Sequence, residues 1–550
     1  MDPWRSRLGP AVIALACMAC AEESHRCAVS SDCNEGRVCV ANVCTAAPDG
    51  ATDGATEALA PDVAPDVLAF LDAVPADAPP EAADSIDGGD APPMDAAAPD
   101  VDVGAPDADA SDADAPDSGD AGGDTPVEAW TLARIEEDNA APSDLPSIAI
   151  HPTAGHLLVA WQEAGGIRLR HYDAAADTWA ATQTIERRGS PRVPRVALAA
   201  NGHALLVWRQ EGSTDAALMG AWESHSDDGG VRWSEPGRIH AGAAAGAVVL
   251  ALADNGDGRV AWEESAGGAH KLWTALHDGA TGAFTMVDVL PGMTFFDPNE
   301  HYPVIAMDRS GAGILAGNQN DAAGNYTIFA AGFSRGTRLL PQLVTQAGSY
   351  VGNPAVAMAN EGGHGAVAWG QLAGSTASLW VKPYDGGVWK EAQPVLTAPD
   401  MIDLVLAAGP DGGLTAAWTQ PFAGGHPNVV SARYQPASGW GTAEPIETGN
   451  LAGPLAIEAP TPRLGADGHG NVDAIWRRKL GPGSFGIFAS RLQDGAWSPP
   501  QQVAAAPRLL PLDLDLAVAA DGRAALTFVF GDPEHTQSPE ALNVFVARRR

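Results

Sequence analysis

Four cysteines, Cys27, Cys33, Cys39 and Cys44, are separated by five, five and four residues in "CAVSSDCNEGRVCVANVC". Structural zinc sites usually draw cysteines from Cys-x-x-Cys pairs, and none occurs here, so the spacing offers two disulfides, in any of three pairings. The 14 histidines show no His-x-x-x-His pair or other metal-ligand spacing, and no metal or cofactor is expected. "SDDGGVRW" sets a hydroxyl, a carboxylate, a glycine and an indole at fixed offsets, on Ser226, Asp228, Gly230 and Trp233. Polar residues follow a recurring Trp, as at Gln162, Arg209, Glu263 and Arg477. Glu263 and Glu264 offer carboxylates for acid–base or metal chemistry, but recurrence at this place favours a solvated strand end. Arg195 and Arg463 each follow a Pro at a strand start, and Tyr302 and Asn353 each precede one. These four are the candidate ligand-binding residues, and no residue is assigned a catalytic role.

What must position them is a repeat. From Val127 onward one unit recurs: an alternating apolar strand, a Gly turn, and a second strand ending near Trp. Instances are "SIAIHPTAGHLLVAW" to Trp161, "PRVALAANGHALLVW" to Trp208, "VVLALADNGDGRVAW" to Trp262 and "PAVAMANEGGHGAVAW" to Trp369. Others end at Asn318, Trp418, Trp476 and Phe528. Alternation with period two, broken by Asn-Gly or Asp-Gly, signals hairpins. Each unit continues with a third strand and a fourth that opens with an aromatic, as at Trp179, Trp233, Trp389, Trp440 and Trp497. Four strands every 47 to 58 residues make a propeller blade. The eighth unit stops after its third strand, while an aromatic-led strand, "WTLARI", stands before the first. If the two join, the ring closes and few sheet edges remain free. The expected fold is therefore all-β, an eight-bladed propeller over 126–550, or seven-bladed if the weak fourth unit is an insertion.

The Ser226–Trp233 pattern resembles the Asp-box hairpin of sialidases and related β-propellers, with Arg232 where Thr or Ser is usual. Partial copies occur at Tyr172, Tyr384 and Asp494. The resemblance implies a hairpin on the outside of a blade, away from the central pocket, and so a structural motif. A sialidase also carries a Phe-Arg-Ile-Pro signature, absent here, and a Tyr nucleophile with a Glu partner. Tyr172, Tyr384 and Tyr434 occupy one third-strand position in different blades, which suggests structure. A pocket on this fold is expected at the channel mouth, lined by first strands and their entry loops.

The N-terminus carries Arg5, Arg7 and the apolar run Leu8–Ala16, too short to span a membrane and suited to an export signal over 1–19. "ALACMACAEE" is similar to a bacterial lipobox. Lipidation at Cys20 leaves four later cysteines, an even set; Cys17, or plain secretion with cleavage after Ala21, are the alternatives. The cysteine-rich motif, 20–45, resembles the Dickkopf-like motif of bacterial surface lipoproteins. The segment 46–125 is built from Ala, Asp, Pro and Gly. Residues 46–128 hold 22 of the chain's 69 acidic residues and no Lys or Arg. One-signed charge with a single aromatic, Phe70, cannot repay the entropy of ordering, so a disordered, extended stalk is expected. No basic face exists, which argues against a nucleic-acid partner.

These parts describe an exported bacterial protein on the outer membrane or cell surface, alternatively secreted or periplasmic. Its membrane partner would be reached through the lipid, and the chain would be a monomer. The expected role is a non-catalytic binding module for a protein or glycan. A glycosidase or lyase on the same fold, or an envelope scaffold, are the alternatives.

Overall fold

The computed structural model describes residues 37–40, 43–46, 129–136 and 143–550, apart from 211–214, 216, 243–244, 267–268, 291–302, 321–325, 338, 346–349, 374–375, 398–400, 422–426, 448–459, 482–483, 508–511 and 532–541. The export signal, Cys20, Cys27, Cys33, the acidic segment beyond Ala46 and Tyr302 lie outside the described residues. Residues 1–99 and 100–550 form separate units. In the first, Arg37–Val40 pairs antiparallel with Val43–Ala46, which sets Cys39 directly opposite Cys44 in the backbone register.

The second unit is an eight-bladed β-propeller. Its blades span 143–186, 191–238, 245–289, 304–343, 350–397, 402–445, 463–507 and 512–549, numbered 1 to 8 below. The weak fourth unit is a full blade: Val304–Met307, Gly313–Asn320, Tyr326–Phe333 and Gln342–Leu343 pair in order. Blade 8 supplies three strands, and its fourth is Thr131–Arg134, paired with Leu542–Arg549 from Thr131↔Arg548 to Arg134↔Phe545. Ile135 continues the contact by donating its amide to Val544 O, so the seam is closed by a strand from the far end of the propeller sequence.

The first strand of each blade touches the first strand of the next all the way round, including blade 8 against blade 1. Only the innermost strands of a ring can do this, so they line the central channel. The turns between first and second strands are linked as well: Asn201 N donates to Asp254 O, Asp254 N to Arg309 O, and Arg309 N to Asn360 O, at 3.0–3.1 Å. Gly468 to Ala520 and Ala520 to Pro152 carry the same chain through blades 7, 8 and 1.

There is no single core. Each pair of neighbouring blades encloses its own cluster, for example Leu158, Leu169, Leu206 and Trp208 between blades 1 and 2, or Leu315, Phe329 and Phe333 against Ala261 and Leu272 between blades 3 and 4. Eight such seams result, one per blade pair. Period-two alternation places one face of each second strand in the seam ahead and the other in the seam behind, and this buries both faces. Trp161, Trp208, Trp262, Trp369, Trp418 and Trp476 are fully buried. Burying a large side chain stabilises by about 1.5–3 kcal/mol, which explains why every blade but the fourth, with Asn318, keeps a bulky aromatic at this place.

Candidate functional site

The channel mouth is shaped by one backbone device. Leu145, Val193, Asp403, Thr461 and Asp513, all near the start of a first strand, have φ between 45° and 55°. In blades 1, 2, 6 and 8 the pairing register shifts across this residue, so each is a β-bulge. The left-handed conformation costs a non-glycine residue about 1–2 kcal/mol, and bulges re-aim the side chains that follow. Two residues later stand Ser147, Arg195, Val405, Arg463 and Asp515.

Several of these side chains reach the next blade. Ser147 Oγ accepts from Val196 N at 3.3 Å, Asp515 Oδ2 from Ile148 N at 3.0 Å, and Arg463 Nε donates to Leu514 O at 3.1 Å. Arg463 and Arg195 also each donate Nη1 to the carbonyl of their own preceding proline, Pro462 and Pro194. Both candidate arginines therefore stand at equivalent, half-buried places on the channel wall. Asn353 lies in blade 5, where its Oδ1 accepts from Asn318 Nδ2 of blade 4 at 3.0 Å.

Blades 6 to 8 bring four charges together at the mouth. Asp403 is exposed to the channel. Although its side chain is open to solvent, the protein crowding around it raises its carboxyl above the ordinary value by desolvation, opposed by Arg463 and Arg477. Burial likewise lowers Arg477, whose charge Asp403 and Asp513 favour and Arg463 disfavours. Two carboxylates and two guanidiniums thus act on one another. Perturbed titrating groups in a concave place mark a functional site more often than chance would. A carboxyl beside two arginines can hydrogen-bond with a polar ligand. Asp403 did not stand out in the sequence, and Arg477 was read there only as part of a solvated strand end. The signal was there in the aspartates at the equivalent first-strand positions of units 6 and 8, Asp403 and Asp513.

The Ser226–Trp233 turn closes on itself. Ser226 Oγ accepts the amides of Gly230 and Asp228, at 2.9 and 3.3 Å, and donates to Asp228 Oδ1 at 2.9 Å. Asp228 accepts the amide and the Nε of Arg232, and Trp233 Nε1 donates to Gly230 O at 3.0 Å. Gly230 has φ 90°, and a Cβ there would come within 2.2 Å of Leu158 in blade 1. The motif staples blade 2 and packs it on its neighbour, with its polar groups consumed inside the turn.

The repeated tyrosines are structural too. Tyr172, Tyr384 and Tyr434 pair across strands with Trp179, Trp389 and Trp440, ring centroids 4.8–5.6 Å apart. The polar residues after the second-strand Trp require a correction. They are not solvated: Gln210, Glu263, Glu264, Gln371 and Arg477 are buried. The residue two places on shares a face with the Trp, and its oxygen accepts the indole N–H. Trp161 donates to Glu163, Trp262 to Glu264, Trp369 to Gln371 and Trp418 to Gln420, at 3.0–3.1 Å.

A histidine cluster also escaped the sequence. His203 Nε2 lies 2.8 Å from His277 Nε2, its Nδ1 lies 2.8 Å from Asp227 Oδ1, and His225 stacks on it at 5.9 Å. Burial, with His203 and His225 nearby, lowers His277 to about 4. His277 fills the place of the repeated tyrosines and packs on Phe284. Among the described residues no group of three or more potential ligands is placed to hold a metal.

No protein-family model matches the chain, and no curated protein matches it. Solved structures similar to it include an ulvan lyase of a new polysaccharide lyase family, 8% identical with a TM-score of 0.43, covering 74% of this chain and 93% of that one. The Dos1 propeller is 12% identical with a TM-score of 0.40, covering 77% and 94%. A Hadza microbial sialidase is 12% identical with a TM-score of 0.33, covering 58% and 70%. The eight-bladed ring rests on the strand pairings above and not on these likenesses.

Proposed function

We propose that the propeller is the ligand-binding part of an exported, surface-anchored protein, and that it binds a carbohydrate at the channel mouth. One observation carries this reading: Asp403, Arg463, Arg477 and Asp513, from three consecutive blades, lie close enough for Asp403 and Arg477 to feel the charges of the others. Carboxylates and guanidiniums held on rigid strands suit hydroxyl- and carboxylate-bearing sugars, because both offer paired hydrogen bonds in fixed geometry. The export signal, Cys20 and the acidic segment support display away from a membrane. Catalysis is the second reading, favoured by the raised carboxyl of Asp403, which suits a general acid acting on a glycan.

The test is binding of the full chain to a panel of neutral, sialylated and uronate-containing polysaccharides. Selective binding weakened at least tenfold by Arg463→Ala and Asp403→Asn, with folding intact, supports the mouth as the site. No binding by folded protein retires the carbohydrate reading and turns attention to protein partners. Release of new reducing ends or unsaturated products from a bound polysaccharide, abolished by Asp403→Asn while binding persists, moves the assignment to an enzyme.

A further inference from the structure

Three positions before the second-strand Trp, the chain points into a seam between blades. Leu158, Leu205, Leu315, Ala366 and Ala525 fill this place in five blades, and Thr415 in a sixth, all buried. Blade 7 has Asp473, whose carboxylate is held by both nitrogens of Arg549 and by Arg491 Nη1 at 2.8 Å. Blade 3 has Arg259. It is 2% exposed, in the seam between blades 3 and 4.

Unlike Asp473, Arg259 has no partner of opposite charge among the described residues. Its Nη2 donates to Thr337 O at 2.8 Å and its guanidinium lies 4.6 Å over the Phe333 ring. Its Nε is buried without an acceptor. Burial alone lowers it to about 10, and no carboxylate offsets the shift. An uncompensated buried charge costs several kcal/mol, and native proteins rarely leave one without a counter-ion.

Beside it is a cleft of about 220 Å³. Arg259 lines it together with Leu276, Met286, Met307 and Phe333, as do Arg335, ion-paired with Asp257, and the carboxylate of Asp278. The cleft lies on the face of the first-to-second-strand turns, remote in sequence from the mouth residues of blades 6 to 8. It is smaller than the roughly 300–1,000 Å³ typical of drug-sized ligands, so its occupant is short.

We propose that this cleft is a second binding site, for a small organic carboxylate whose anionic end pairs with Arg259 and whose hydrocarbon part lies against Phe333, Met286 and Met307. A planar carboxylate matches the paired N–H donors of a guanidinium. The apolar walls select against inorganic anions. The site is independent of any ligand at the channel mouth.

The experiment is calorimetric titration of the full chain at low salt with propionate and benzoate, with their neutral amides and inorganic phosphate as controls. The carboxylates should bind at millimolar Kd or tighter, and at least tenfold tighter than the amides or phosphate. Arg259→Leu, which installs the residue of three other blades, should keep or raise Tm and lose at least tenfold in affinity, and Arg259→Lys should recover part of it. Met286→Glu, at a 54% exposed position on the cleft wall, should weaken binding several-fold by repulsion, and it serves if Arg259→Leu does not fold. Absence of carboxylate binding, equal binding of phosphate or the amides, or unchanged affinity in Arg259→Leu or Met286→Glu would overturn the proposal.

Discussion

The indole nitrogen of Trp369 donates to Gln371 Oε1 at 3.1 Å, both residues on one face of one strand and both buried. The same Trp-x-Glu or Trp-x-Gln bond recurs in blades 1, 3 and 6. In blade 7, where Arg478 takes the second place, Trp476 donates instead to Glu447, which also pairs with Arg478. Blade 8 has Phe528 and Phe530 at the two places, so donor and acceptor disappear together. Blade 2 departs from the pattern: Gln210 donates to Arg188 O, and the indole N–H of Trp208 has no partner.

Replacing only one member of a Trp-x-Gln bond should cost more than replacing both. Gln371→Leu leaves a buried N–H unpaired and should lower stability by about 1–3 kcal/mol. Adding Trp369→Phe should cost little beyond the lost ring volume, with a favourable coupling between the two changes. Urea denaturation of the two single variants and the double variant measures this. Simple additivity would show that the bond contributes nothing.

Asp473 holds Arg549 and Arg491 at the seam between blades 7 and 8. Asp473→Ala leaves two guanidiniums without their shared counter-ion and should destabilise by about 3–5 kcal/mol. Asp473→Leu, matching the other blades, should cost as much unless Arg549 is also made apolar. Thermal unfolding of the three variants distinguishes these outcomes.

His277 should make the protein acid-sensitive. Its folded pKa of about 4 lies below the ordinary 6.5, so the unfolded chain takes up the proton first. The stability it leaves intact above pH 6.5 is lost as pH falls towards 4, by up to about 3 kcal/mol at 1.36 kcal/mol per unit. His277→Phe should flatten this part of the stability–pH profile. An unchanged slope between pH 6.5 and 4 would contradict the assignment.

Glu136 should act in the opposite direction. Burial raises its carboxyl from 4.5 to about 7, with the Val544 amide opposing. Its folded pKa exceeds the unfolded one, so the neutral form's stability is complete below pH 4.5 and is lost as pH rises through 7. Glu136→Gln should match the parent near pH 4.5 and exceed it at pH 8. Protection of the Thr131–Arg134 amides, measured against their intrinsic exchange rates, should fall with rising pH in the parent alone, because Glu136 Oε1 accepts Val544 N beside that strand.

The repeat and its closure were legible because alternation, turn glycines and one bulky aromatic per unit are local signals that each blade repeats. Tyr172 against Trp179 was legible for the same reason. Glu264 was misread as solvated because polarity was weighed without strand parity; two residues on, parity returns it to the Trp face. His203 and His277 are 74 residues apart and belong to different blades, so no spacing rule joins them. The left-handed residues Val193 and Thr461 left no composition signal, since neither residue type favours that backbone. Arg259 did leave one. "GRVAW" sets a cation where "ALLVW" has Leu205, and comparing units position by position exposes it.

The seam that joins Thr131–Arg134 to Leu542–Arg549 also fixes when the ring can form. Val544 N and Glu136 Oε1 are 408 residues apart, so a chain made from its N-terminus holds seven blades before the last partner exists. During that time the inner edges of the first and last blades lack a neighbour, and each exposes a seam face made to be buried. Closure is then a single late event with a high loop-entropy cost. An incomplete ring, more than an unfolded chain, is the species a chaperone or a protease would meet.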